Sequence, residues 1–247
     1  MFDHVAIRAS DEAASALFYR TVLGPLGIEP DTENERMVRW QEFIVSAGRE
    51  DRPPTRNVHI GFGAPARELV DAFWRAGTDA GHPGDGAPGE RSQYSEDYYG
   101  AFLRDPDGNS AEAAYHNDTR HGGRIDHLWV GVRDLPAAEA FYETISRYAG
   151  LRHGRRWEHG FQFRGAWATF SLVADGRPPT ENLHLAFPAP DRETVDEFHA
   201  KAVAAGYESN GEPGERPQYH PGYYAAFVLD PDGNNIESVF HGQPEAA

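Results

Sequence analysis

The sequence has no cysteine, an excess of acidic over basic residues, and no long hydrophobic run. Without cysteine there is no disulfide framework and no thiolate metal site, so any transition metal must be held by imidazole and carboxylate groups. The formal net charge of -16, spread without a basic block, opposes binding to nucleic acid or an anionic membrane. Neither a run of about 18 apolar residues nor a leader peptide is recognisable. These absences predict a soluble, cytoplasmic protein whose partner is a small molecule.

An internal repeat is the main feature that the sequence does contain. Segment 2–5 (FDHV) recurs 123 residues later as 125–128 (IDHL). Segment 57–60 (NVHI) recurs 125 residues later as 182–185 (NLHL), and this second register continues through His116 and His241. The chain is therefore a tandem of two related modules.

A short polar and glycine-containing stretch between the copies indicates a linker. We predict a first module at 1–118, a linker at 119–124 and a second module at 125–247. Because so short a connection keeps the modules adjacent, we expect a packed tandem. The protein would be a monomer that mimics a single-module dimer, or a homodimer.

The hydrophobic pattern predicts strand, helix and further strands, in that order, twice per module. In the first module the predicted strands are 2–8, 36–47, 57–62, 99–104 and 109–116. The predicted helices run from Asp11 to Gly24 and from Pro65 to Gly81, and a long loop rich in glycine, proline and tyrosine extends to about Tyr98. A tight-turn sequence, DPDG, joins the last two strands at 105–108 and recurs at 230–233.

Alternation along the strands places polar side chains on the face away from the helices. Val58 and Ile60 point towards the helices, so His59 points the other way. By the same rule Glu112 shares a face with Ala114 and His116, and His4 shares one with Phe2 and Ala6. If the sheet curls, these three faces line one concave cup. Two imidazoles and a carboxylate that converge on a concave sheet face form a facial-triad type of site, with positions left open for substrate.

The repeat strengthens the metal interpretation of these residues. A single histidine on a strand is usually an ordinary hydrogen-bonded residue, but matched histidines accompanied by matched glutamates favour ligands, since a buried carboxylate is costly unless paired or metal-bound. For the matched His116 and His241 we favour an ordinary structural role. The predicted ligands of a divalent ion (zinc, nickel, manganese or iron) are His4, His59, Glu112, His127, His184 and Glu237.

The loop before the last hairpin is also repeated, at 88–99 and 213–224. Long matched loops often line a site. Its candidate catalytic residues are Arg91 and Arg216, which could receive a carboxylate or enolate oxygen, Tyr94 and Tyr219, which could cover a ligand, and His220, a general acid or base. The alternative is that the tyrosines only pack the loop onto its own module.

Each half resembles a module of the vicinal oxygen chelate superfamily, which includes glyoxalase I, extradiol dioxygenases, and the fosfomycin- and bleomycin-resistance proteins. The resemblance rests on the two strand histidines, the Phe-Tyr helix leading to Leu23-Gly24, and the DPDGN turn before the last-strand glutamate. It implies an α+β fold built as a tandem repeat of paired βαβββ units, with curved mixed sheets forming metal-binding cups and helices outside. It also implies a divalent metal that binds vicinal substrate oxygens.

The resemblance leaves three functions open. Isomerase or lyase chemistry of the glyoxalase type is favoured. A ring-cleaving extradiol dioxygenase usually has a tyrosine where this chain has Phe102 and Phe227, and a sequestering resistance protein usually lacks the triad. The fourth ligand of glyoxalase-type members would fall at Glu42 in one half and at Thr169 in the other, so only one half could supply it. Each triad could be built within one module or be exchanged between the two.

Overall fold

The computed structural model describes residues 1–117 and 124–242. The predicted linker at 119–124 lies outside the described residues except for its last residue. Twenty elements follow in chain order: β1 His4–Ala9, α1 Glu12–Leu23, β2 Thr32–Asn34, β3 Met37–Trp40, β4 Phe43–Ala47, β5 Val58–Gly63, α2 Arg67–Asp79, β6 Gly84–Glu90, β7 Tyr99–Arg104, β8 Ser110–Tyr115, β9 Ile125–Gly131, α3 Leu135–Ile145, β10 Arg152–Trp157, β11 Gly160–Arg164, β12 Thr169–Val173, β13 His184–Pro188, α4 Arg192–Ala204, β14 Ser209–Glu215, β15 Tyr224–Leu229 and β16 Asn235–Phe240.

The elements form four βαβββ units that pair into two mixed eight-stranded sheets, which confirms the predicted fold. The terminal sheet joins the first and last units in the order β14-β15-β16-β13-β1-β4-β3-β2. The central sheet joins the two middle units in the order β10-β11-β12-β9-β5-β8-β7-β6. Each sheet therefore takes one unit from each copy of the repeat.

The helices cover one face of the sheets and carry the core. Helix α1 begins at the predicted place because the Asp11 carboxylate accepts a hydrogen bond from the Ala14 amide at 3.0 Å. Its buried Tyr19 ring packs against Phe43 of the terminal sheet and Phe62 of the central sheet, with centroids 4.6 and 6.3 Å away. The hydrophobic core thus runs from one sheet to the other. No helix in the described part of the chain is long and apolar enough to cross a membrane.

Two predictions about local structure were wrong. Segment 36–47 is not one strand but the hairpin of β3 and β4, which turns at Gln41 with a left-handed φ of 57°. The segment interpreted as a loop up to about Tyr98 contains strand β6, although it is rich in glycine and proline. Strand β6 lies at the sheet edge, pairs only with β7 and has two register shifts, so residues unsuited to a central strand are tolerated there.

Candidate metal centres

The first cluster, here called the central triad, consists of His59, Glu112 and His127. On three neighbouring strands of the central sheet, Gly61 pairs with His127 on one side and with Glu112 on the other. His59 is two residues before Gly61 and so projects from the same face. Pairing between units of different copies therefore brings these three side chains together.

The second cluster, the terminal triad, consists of His4, His184 and Glu237. Its register is equivalent: Ala186 pairs with His4 on one side and with Glu237 on the other. Both clusters therefore have the exchanged arrangement, with ligands drawn from both copies. Local sequence could not distinguish this from triads built within one module, because the deciding pairings, β1 with β13 and β5 with β9, are distant in sequence.

The spacing of the donor atoms fits a divalent cation. In the central triad the Nε2 atoms of His59 and His127 and Oε2 of Glu112 are 3.0 Å apart in every pair. Atoms bound at about 2.1 Å on adjacent corners of an octahedron are about 3.0 Å apart. The terminal triad is less regular: two of its distances are 2.9 Å, whereas His4 Nε2 is 3.5 Å from Glu237 Oε2.

Hydrogen bonds behind the central triad orient its histidines. Nδ1 of His127 donates to Oδ2 of Asp126 at 2.9 Å, and Nδ1 of His59 lies 2.9 Å from the Ser110 hydroxyl. Both Nε2 atoms therefore face the site, as metal ligation requires. His116 does not ligate; its Nε2 donates to the other oxygen of Asp126 at 3.0 Å.

The terminal triad has matching supports. Asp3 accepts from His4 at 2.8 Å and from His241 at 2.7 Å, and His184 Nδ1 is 2.7 Å from the Asn235 amide group. The matched pair His116 and His241 thus has the structural role that we favoured. The aspartates were missed as site residues, although their position directly before the matched histidines was a usable signal.

Charges in the central triad are strongly coupled. Burial opposes ionisation of Glu112, but attraction and hydrogen bonds from His127 and His59 outweigh it and lower its pKa to about 2. Burial also disfavours charge on His127, yet Glu112 and Asp126 raise its pKa to about 10. Burial lowers the pKa of His59. Glu112 and His127 thus favour each other's charged forms, and a cation at the triad would compete with the proton of His127.

The DPDGN turn sets the position of each glutamate. Oδ1 of Asp105 accepts from the Asp107 and Asn109 amides at 2.9 and 2.8 Å, and Gly108 takes the left-handed φ of 84° that the turn needs. The Asn109 side chain then accepts from the Val58 amide at 3.2 Å. This contact ties the start of β8 to the start of β5, which fixes the register of Glu112 against His59.

A tyrosine also holds each glutamate. The hydroxyl of Tyr98 donates to Oε1 of Glu112 at 2.8 Å, and that of Tyr223 donates to Oε1 of Glu237 at 2.7 Å. Burial and the neighbouring carboxylate raise the pKa of both tyrosines well above the usual value, so they remain neutral donors. Both tyrosines lie in the repeated loop, but the loop tyrosines that we predicted as catalytic were Tyr94 and Tyr219.

Small residues around the triads differ between the copies. A Cβ on Gly61 would lie 2.0 Å from His127 Cε1, and one on Gly100 would lie 2.5 Å from Oε1 of Glu112. The corresponding residues in the terminal sheet are Ala186 and Ala225, both fully buried in a small apolar cluster. In the central triad, His127 and Glu112 therefore occupy space that a methyl group on Gly61 or Gly100 would need. In the terminal sheet, Ala186 and Ala225 already carry those methyl groups.

The central triad opens into a cavity of ≈ 610 Å³. Aromatic side chains line it: Trp129 is 5.8 Å from the ring of His59 and 5.8 Å from that of Tyr94, and Phe102 lies 5.9 Å from His59. Trp129 corresponds to Ala6 in the other copy. Such walls exclude water and offer flat surfaces to a substrate.

The predicted loop arginines contact their own loops. Arg91 lies 5.4 Å from the centroid of the Phe102 ring and donates to backbone carbonyls of residues 87 and 90. Arg216 lies in the same way 5.5 Å from the centroid of Phe227. They hold the loop behind the aromatic wall, and a direct role in chemistry stays a prediction.

The remaining predicted loop residues lie at different distances from their triads in the two sites. Tyr94 lines the central cavity, whereas Tyr219 is 57% exposed. Nε2 of His220 is 2.9 Å from Nδ1 of His241, so His220 reaches the terminal triad only through a chain of hydrogen bonds. Glu42 belongs to neither triad; its carboxylate accepts from the Arg124 and Ile125 amides.

Comparisons with known proteins agree with this architecture. The model of the family described as Glyoxalase/Bleomycin resistance protein/Dioxygenase superfamily matches residues 124–238. The uncharacterized protein PA2024 of Pseudomonas aeruginosa is 33% identical over 138 residues, which cover 49% of this chain and 89% of that protein. The uncharacterized protein YqjT of Bacillus subtilis is 27% identical over 132 residues, or 47% of this chain and 97% of that protein.

A solved structure resembles the whole tandem. Glyoxalase I from Zea mays superposes with a TM-score of 0.71 at 16% identity, covering 97% of this chain and 92% of the other. At this identity the likeness concerns the fold alone.

Proposed function

Because this chain belongs to the Glyoxalase/Bleomycin resistance protein/Dioxygenase superfamily, we propose that it is a divalent-metal-dependent enzyme acting on a small organic molecule through two neighbouring oxygen atoms. We favour isomerase or lyase chemistry. The observation that carries the proposal is the central triad, in which three ligand atoms lie 3.0 Å apart at the base of a cavity.

Each residue around the triad has a defined task in this proposal. His59, Glu112 and His127 hold the ion, which when bound acts as a Lewis acid towards substrate oxygens. Tyr98 keeps the second oxygen of Glu112 engaged, so one oxygen remains for the ion. Asp126 keeps the His127 ring oriented.

The cavity walls position the substrate and limit water. Trp129 and Phe102 flank the triad, and Tyr94 contacts Trp129 edge to face, so a planar or compact molecule is enclosed on several sides. In the terminal site, the general acid or base that exchanges a proton with the substrate would be His220, which is hydrogen-bonded to His241. Phe102 stands where an extradiol dioxygenase usually has a tyrosine. Because phenylalanine has no hydroxyl proton to donate, this residue supports isomerase or lyase chemistry over ring cleavage. Oxygen uptake by anaerobically prepared ferrous protein with a catechol would reverse that preference.

Metal content is the direct test. Protein purified without chelator, or stripped and then reloaded with nickel, zinc, manganese or ferrous iron, should contain close to one equivalent or more. Content below a few tenths of an equivalent that none of these ions restores would refute the proposal.

A sequestering protein is the second candidate, since a cavity with aromatic walls also suits simple ligand binding. The His59→Ala/His184→Ala variant separates the two functions. An enzyme should lose turnover with its metal, whereas a binder should keep full affinity for its ligand.

A further inference from the structure

The rim of the central cavity carries a concentration of arginine that is unexpected in a chain of net charge -16. Four arginines and four acidic residues are among the lining residues. Glu112 and Asp126 are engaged with the triad histidines. A divalent ion at the triad would therefore add two positive charges that the lining does not balance.

Two of the four arginines already have carboxylate partners. Arg104 pairs with Asp85 at 2.7 Å. Arg177 forms two bonds with Asp175, of 2.8 and 2.6 Å, while its guanidinium lies 5.4 Å from the centroid of Trp129. These pairs shape the rim but offer little free charge to a ligand.

The other two arginines are available. Within residues 1–117 and 124–242, neither Arg155 nor Arg164 forms an ion pair, and both are exposed at the cavity. Arg155 lies 5.8 Å from the centroid of Trp157, and Arg164 is at the end of the neighbouring strand β11. A guanidinium that has no carboxylate partner and lines the same cavity as a cation site is suited to receive an anion.

We propose that the central cavity is the substrate site and that its substrate is an organic anion, whose carboxylate or phosphoryl group is bound by Arg155 and Arg164. This rests on the proposed function, because the metal at the triad takes the neighbouring oxygens of the same molecule. The terminal site differs at positions that line the central cavity. Ala6 stands where the central site has Trp129, and Leu229 stands where it has Arg104. Arg8, whose charge acts on His184, is already bonded to the Pro53 and Asn182 carbonyls.

The test compares malate, its 4-amide and 3-phosphoglycerate by calorimetry on nickel-loaded protein. All three offer the same hydroxyl and carboxylate oxygens to the metal, and they differ in the second group, which is a carboxylate, a neutral amide or a phosphate. The decisive quantity is therefore how the affinity ratio of malate to its 4-amide changes in Arg155→Gln/Arg164→Gln. Arg75→Gln, an exposed arginine on α2 outside the cavity, is the matched control.

We expect the ratio to fall by at least about tenfold in the double variant and to stay constant in the control, since hydrogen bonds to charged groups contribute on that scale. A larger loss for 3-phosphoglycerate than for malate would identify the anion as phosphoryl. A ratio that does not change, with nickel bound, would overturn this inference and leave the proposed function intact. Failure to bind nickel would overturn both.

Discussion

The central and terminal triads have the same ligand types and equivalent supporting aspartates and tyrosines, but differ in the small residues directly beside them. Gly61 and Gly100 leave room around His127 and Glu112, whereas the matching positions of the terminal sheet carry methyl groups. The central donor atoms form an even triangle, and the terminal triangle has one long side of 3.5 Å. Duplication preserved the ligands, and divergence acted on their surroundings. We therefore expect the central triad to bind metal more tightly and to be the more active of the two sites.

Removing the histidine ligands of one triad should have the largest effect on its metal binding. His59→Ala/His127→Ala should weaken metal binding at the central triad by at least about a hundredfold, because even residues that only orient ligands contribute 10–100-fold. Trp129 is 5.8 Å from His59, so quenching of its fluorescence by nickel reports on this site. The matched His4→Ala/His184→Ala variant should keep that quenching. Equal quenching in both variants would show that the signal does not come from the central triad.

Exchanging the small residues should make the two sites alike. Gly61→Ala places a methyl group 2.0 Å from His127 Cε1, so the ring must move. We expect at least about tenfold weaker central metal binding, with a loss of about 1–3 kcal/mol in the free energy of unfolding from overpacking. Ala186→Gly, the reciprocal change, should strengthen terminal binding. Nickel titration and urea unfolding measure both, and unaltered affinity in Gly61→Ala would contradict the role given to this glycine.

Replacing the orienting aspartates should have an intermediate effect. Asp126→Asn weakens the acceptor for both His127 and His116, and metal affinity should fall about tenfold at the central triad only. Asp3→Asn should act in the same way on the terminal triad only. Calorimetric titration of each variant separates the two sites. A drop in central affinity caused by Asp3→Asn would mean that the sites are coupled.

The tyrosines are expected to have the smallest effect on metal binding. Tyr98→Phe removes the hydrogen bond to Oε1 of Glu112 and should cost about 1.5–3 kcal/mol of stability in the metal-free protein. Tyr223→Phe should cost a similar amount, since its bond to Glu237 has nearly the same length. Urea unfolding curves would detect the loss. Wild-type stability in either variant would mean that water replaces the lost hydroxyl.

Much of this site could be predicted from the sequence because local physics dictates it. Alternation put His59 and Glu112 on one face, the DPDGN turn placed the glutamate on the last strand, and Asp11 marked the start of α1. Each of these depends on residues that are close in sequence. The repeat then distinguished the ligands from the other histidines.

The rest depends on contacts between distant residues. Nothing local in the sequence specifies that β5 pairs with β9, and this pairing alone brings His127 to Gly61. The importance of Gly61 becomes visible only when its neighbour is known. Strand β6 was missed because its glycines and proline are tolerated at a sheet edge, and its edge position is itself a tertiary property.

An anomalous-scattering map of crystals soaked with manganese or nickel tests the central claim most directly. We predict a peak equidistant from Nε2 of His59, Nε2 of His127 and Oε2 of Glu112, at higher occupancy than any peak at the terminal triad. No peak at the central triad, or a peak at the terminal triad alone, would contradict the account.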